Sequence, residues 1–244
     1  MRGNRYRDSS HLPNKRPGRR GPELDVLPQQ RRGITPQMVG RYPDYNVMSE
    51  AENWDPATRQ VVEQRLRITD DQRFFTNEEA STAHAFCDLV LAQTREPRVP
   101  VVAMIDQKLA DRKFDGYRYA DMPSDDETWR MALRGLDQVA QRRYGALFAD
   151  CDEAAQEAII EQFSKGELQG DTWDELNCQR AFSILMRAAL SEFYSHPWAW
   201  NEIGFGGPAY PRGYMRLGEG VREPYEKREA VHDDPVRDSG SEAS

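Results

Sequence analysis

One pair of side chains in this sequence has the types and spacing to move a proton. Glu192 and His196 stand four residues apart at the end of a helix-like run, which sets a carboxylate and an imidazole on one helical face. Carboxylates also gather at Asp125-Asp126-Glu127 and at Asp150 with Asp152-Glu153. Both clusters fall where helices are predicted to begin, and negative charge is favoured there by the helix dipole, so capping accounts for them. A histidine that ends a helix before Pro197 has an equally plain role, because a cation suits a helix C-terminus. An enzyme built on this chain alone is of hydrolase or isomerase type, using His196 and the nearby carboxylates.

Other chemistries have less to work with. Cys87, Cys151 and Cys178 are odd in number and widely spaced, and fit neither a zinc pattern nor the CxxCH of covalent haem attachment. They read as reduced, small apolar side chains. Histidines at 11, 84, 196 and 232 form no ligand cluster, so no metal is expected. The stretch GFGGPAY contains G-x-G, but it follows the end of a helix, puts Pro208 where a helix should start, and lacks the third glycine. A dinucleotide site needs a strand before those glycines and a helix after them. No cofactor is expected on this chain.

That glycine run belongs to HPWAWNEIGFGGPAYPRGY, residues 196–214, which packs five large aromatics, four glycines and three prolines into nineteen positions. With Phe193 and Tyr194 just before it, the segment holds too many large rings to hide in its own turns. Two readings stay open: the segment folds back and caps its own bundle, or it forms a protein interface, where Trp, Tyr and Arg dominate the energetics. The interface set is Phe193, Tyr194, His196, Trp198, Trp200, Asn201, Phe205, Tyr210, Arg212 and Tyr214. In an extended segment, Trp198 and Trp200 would lie on the same side.

The elements that must carry these residues are helical. NWDPATRQVVEQRL offers Asp55 as N-cap, Pro56 at the first helical position, and Val61, Val62 and Leu66 on one face. Thr76 with Glu79, Ser124 with Glu127, and Asp150 with Glu153 each present a cap acceptor followed three residues later by a carboxylate. Gly166 can end the last of these helices. VPVVAMIDQKLADRK reads as a shorter helix after Pro100, and ELNCQRAFSILMRAALSEFYSH as a helix apolar on nearly every side, hence central or serving two surfaces. No period-2 run or hairpin signal appears. The fold expected is all-α, a small bundle of about five helices with a Gly- and aromatic-rich C-terminal loop.

At 244 residues, 38% hydrophobic and with a mean hydropathy of -0.85, part of the chain is expected to stay out of any core. Residues 1–50 read as a disordered or partner-wrapping basic arm, 51–71 as a short helix and linker, 72–217 as the helical domain, and 218–244 as a disordered tail. Residues 1–32 carry nine basic side chains against three acidic ones, so the arm is +6 on a chain of net charge -8. The arm could be a solvated tail, a wrap for an acidic partner or a nucleic-acid contact; the acidic body repels phosphate and disfavours the last. Neither Arg19-Arg20 nor Arg31-Arg32 is followed by the apolar stretch of an export signal. No run approaches the ~20 apolar residues of a membrane span. The location expected is cytoplasmic.

In order and spacing the chain resembles a known family. FFTNEEA, VPVVAMIDQKL, W-x-x-x-L-x-x-L-D with R-x-Y-G, and a helix running through F-Y-S-H-P into N-E-I-G-F-G-G-P resemble the gluconate 2-dehydrogenase subunit 3 family over about residues 72–215. The closing motif is the most specific part. The resemblance implies a small non-catalytic subunit that supports folding, maturation or export of a flavin-dependent, glucose-methanol-choline type large subunit acting on a sugar, gluconate or glycoside. It implies FAD in that partner, and a cytochrome c subunit as a further partner. Many members carry a twin-arginine signal with an apolar region, which this chain departs from; export would then depend on a signal-bearing partner. The aromatic segment would dock on the large subunit.

Overall fold

The computed structural model of the chain describes residue 42 and residues 45–93, 98–114, 116–216 and 223–226. Most of the expected arm and tail therefore lies outside the described residues. Among those described, every regular element is helical and there is no strand, so the fold is all-α. Two compact units emerge, one from the two ends of the chain (residues up to 66 and from 196 onward) and one from residues 67–195.

The middle unit is a bundle whose principal members are α2 (Asn77–Val90), α3 (Val101–Ala110), α4 (Asp125–Tyr144), α5 (Glu153–Lys165) and α7 (Cys178–Ser195), with one turn of helix, α6 (Thr172–Glu175), before the last. α2 opens on the expected capping box, Thr76 accepting from Glu79 N–H while the Glu79 carboxylate takes Thr76 N–H. Two expected caps differ. Ser124 makes no side-chain cap bond to α4. α5 is capped by Asp152, which accepts from Ala155 N–H, because Asp150 closes a 3-10 turn, Phe148–Asp150, just before it. Gly166 ends α5 in the left-handed region as expected.

α7 packs against α3, α4 and α5, which is why its sequence is apolar on so many sides. A run of tilted and edge-on rings links Phe75, Trp129, Phe86, Phe163 and Phe182 through the centre at centroid spacings of 5.3–6.3 Å. Asp106 on α3 is fully buried, and its carboxylate accepts three backbone N–H groups in succession, from Arg73 (2.7 Å), Phe74 (2.9 Å) and Phe75 (2.8 Å). That nest fixes the R-F-F entry to α2. Arg130 completes it by stacking over Phe74 at 4.2 Å and donating to the Glu79 carboxylate and the Phe74 carbonyl.

The other unit joins a 3-10 helix (Val47–Asn53) and α1 (Pro56–Arg65) to α8 (Pro197–Ile203) and the chain that follows it. Its core holds Tyr45, Val47, Met48, Ala51, Trp54, Val62 and Trp200. Residues 45–50 thus depart from the expected disordered or partner-wrapping arm: so short a 3-10 helix has no periodicity to betray it, yet it buries Val47 and Met48. α1 starts at Asp55 and Pro56 as expected, with Val62 inward, whereas Val61 is exposed rather than on the buried face. Residues 223–226 depart from the expected tail, because Glu223 is buried and accepts from Met215 and Arg216 N–H at 2.6 and 2.5 Å.

Candidate functional site

The closing segment begins with a short helix, not with a loop. His196 is the N-cap of α8, Pro197 its first residue, and Gly204 in the left-handed region its stop. On a helix, residues two apart point about 200° away from each other, so Trp198 and Trp200 do not share a side as an extended segment would require. Trp200 is buried edge-on to Phe205, with the Arg65 guanidinium over its ring at 5.9 Å. Trp198 is half-buried against the same cluster. Asn201 is also buried, its Oδ1 accepting from Val47 N–H at 2.7 Å.

His196 is 1% exposed. Its Nδ1 accepts from Trp198 N–H at 3.2 Å and the ring also hydrogen-bonds the Arg65 backbone. Burial, countered by that hydrogen bond and reinforced by the Arg65 charge, pulls its pKa down from 6.5 to about 4. The imidazole is therefore neutral at pH 7, with one edge capping α8 and the other tying it to the end of α1. Glu192, its candidate partner, lies 3.6 Å from Lys108 on α3.

The glycines of GFGGP serve close packing. A Cβ on Gly204 (φ +68°) would stand 2.4 Å from the Tyr42 ring, and one on Gly207 (φ +75°) 2.5 Å from the Trp54 ring. The chain's own Tyr42 and Trp54 rings thus lie directly against the backbone at these glycines.

Past Gly207 the segment turns outward. Tyr210, Tyr214 and Met215 are 68%, 52% and 84% exposed, and Ile203 and Phe205 are exposed to a lesser degree. Arg212 points the other way: it donates to Glu50 at 2.7 Å and stacks over the Tyr225 ring at 3.9 Å. Of the ten candidate contact residues, His196, Trp200 and Asn201 thus face inward and Trp198 and Arg212 are half-buried. Tyr210 presents its ring to solvent, while Phe205 and Tyr214 are partly exposed and rest on the Trp200 and Tyr225 rings respectively. Phe193 and Tyr194 belong to α7 in the bundle, the first buried and the second exposed, edge-on at 5.0 Å.

The bundle holds one grouping that spacing alone does not suggest. A cleft of about 180 Å³ is lined by Asp70, His84, Cys87, Asp88 and Arg98 together with the start of α3. His84 Nε2 lies 3.5 Å from Asp70, and Arg98 pairs with Asp88. Cys87 is fully buried, and burial pushes its thiol well above the ordinary range, which disfavours the thiolate. The i, i+3 spacing of His84 and Cys87 on α2 was the available signal; the approach of Asp70 from the preceding loop had none. Among the described residues no helix is long and apolar enough to cross a membrane, and no group of three or more His, Cys, Asp or Glu side chains could hold a metal ion.

The family model described as Gluconate 2-dehydrogenase subunit 3 matches residues 77–207, more than half of the chain. The match takes in α2 through α8 and ends on Gly207, leaving the 3-10 helix and α1 outside it. No curated protein and no solved structure matches.

Proposed function

The chain belongs to the gluconate 2-dehydrogenase subunit 3 family, and on that premise we propose that it is a non-catalytic accessory subunit of a flavin-dependent dehydrogenase. Family membership makes it one subunit of a multi-subunit dehydrogenase complex. Its role there is to bind the large, glucose-methanol-choline type subunit and to support its folding, maturation or stability. FAD is held by that large subunit, which oxidises gluconate, a sugar or a glycoside; a cytochrome c subunit is the natural electron acceptor. The chain is cytoplasmic unless a signal-bearing partner carries it across the membrane.

The observation that carries this proposal is the use to which the segment from His196 to Met215 is put. Its one titratable ring of catalytic type is neutral, buried and hydrogen-bonded in place. Its glycines bring aromatics close, and past them Tyr210 and Tyr214 are exposed, as contact residues are. The test is an assay of the purified chain, and of the chain paired with its large subunit, against gluconate and a panel of sugars with an artificial electron acceptor. Turnover is expected from the pair and none from the chain alone; turnover by the chain alone would refute the proposal.

A further inference from the structure

We infer that residues 203–215 form a preorganised docking element, and that its occupant is an apolar recess on a companion subunit of the complex. This rests on the accessory role proposed above and assigns it to particular atoms. Five of the large exposed apolar side chains of the described residues, Ile203, Phe205, Tyr210, Tyr214 and Met215, fall within thirteen positions. Isolated exposed apolar residues are ordinary, but a concentration of this kind on one short segment marks a contact surface.

The backbone under these side chains is braced on every side. Gly213 N–H closes the turn onto Ala209 carbonyl at 2.7 Å, and the Tyr225 hydroxyl donates to Gly213 carbonyl at 3.1 Å. Glu223 Oε1 takes the N–H groups of Met215 and Arg216. Arg212, with its side chain only 9% exposed, joins the turn to Glu50 on one side and to the Tyr225 ring on the other. Arg212 is therefore a positioning residue, and the anchors are the rings and the thioether that it holds outward. Anchors fixed before contact lose little conformational entropy on binding.

The nature of the occupant follows from charge and from membership in a complex. From Ile203 to Arg216 the segment has no carboxylate, in a chain with 41 acidic residues and a net charge of -8. An apolar surface can close over it without desolvating a negative group. Family membership makes the chain one subunit of a complex, and on the accessory role proposed above the large subunit of that complex supplies the surface.

The test measures binding of the full chain to the purified large flavoprotein subunit of its complex. The triple variant Tyr210→Ala, Tyr214→Ala, Met215→Ala should weaken binding by more than about tenfold, since aromatic anchors dominate such contacts. Its melting temperature should stay close to that of the unmodified chain, because Tyr210 and Met215 are exposed and Tyr214 gives up only its contact with the Tyr225 ring. A control, Tyr144→Ala with Leu147→Ala, removes exposed apolar side chains from the bundle and should bind normally. Unchanged binding by the triple variant, or an equal loss in the control, would overturn the assignment while leaving the accessory role intact. Self-association of the unmodified chain that the triple variant abolishes, with large-subunit binding retained, would make the occupant a second copy and overturn it as well. No binding by the unmodified chain would remove the accessory role and the docking element together.

Discussion

Val47 N–H donates to Asn201 Oδ1 at 2.7 Å across 154 positions of sequence, and both residues are buried. This bond ties the start of the described chain to its closing motif. Asn201 and Gly207 lie inside the family match, whereas their partners Val47 and Trp54 lie outside it. The closing motif is therefore completed by residues from the other end of the chain.

Asn201→Ala should strand Val47 N–H in a dry site, which costs about 1–3 kcal/mol. The loss should be local to the unit built from the chain ends. Amide exchange at Val47 and through the 3-10 helix should accelerate while exchange in α4 and α7 stays unchanged. Uniform acceleration throughout would show that the units do not open separately.

Trp200→Ala should destabilise the chain by about 3–5 kcal/mol, as emptying an aromatic core site does. Trp198→Ala should cost clearly less, because its ring is only half-buried. Thermal melts of the two variants check this ordering; equal shifts would contradict the placement of Trp200 in the core.

His196 predicts an acid limb. Its folded pKa, about 4, lies below the ordinary 6.5, so between those values the unfolded chain binds a proton that the folded chain does not. Stability from this group is complete above pH 6.5 and falls as the pH drops to about 4, by a total on the order of 3 kcal/mol. His196→Asn keeps an N-cap acceptor and should flatten this limb. Urea midpoints at several pH values between 4 and 7 test it, and an identical slope in the variant would assign the limb to carboxylates instead.

Asp106→Asn should be costly, on the order of 3 kcal/mol, because an amide cannot accept on both sides and one of the three backbone N–H groups must meet another N–H. Asp137 offers the contrast. It accepts from the Thr82 hydroxyl and Phe148 N–H, and burial raises its pKa. Asn at 137 can accept from Phe148 N–H and donate to Thr82, so Asp137→Asn should cost under about 1 kcal/mol. Comparable destabilisation by the two variants would contradict the nest at Asp106.

The helices were legible because their punctuation is local. Thr76 with Glu79, Asp55 before Pro56, and Gly166 after Lys165 each act within one turn, and the structure uses all three. The union of the chain ends was not legible, because Asn201 and Val47 carry no mutual sign in a sequence read in order. His196 before Pro197 reads as a helix end, yet the pair opens α8, because a proline that stops one helix also suits the first position of the next. The division of the aromatic segment into an inward part at Trp200 and an outward part at Tyr210 depends on α8 turning the chain, which composition does not express.

The most direct test of the accessory role is to express the large subunit with and without this chain and to measure its solubility and its flavin content. Soluble, flavin-loaded large subunit only when this chain is present is the predicted result. Equal solubility and flavin content without it, or stoichiometric flavin retained by this chain alone, would contradict that role.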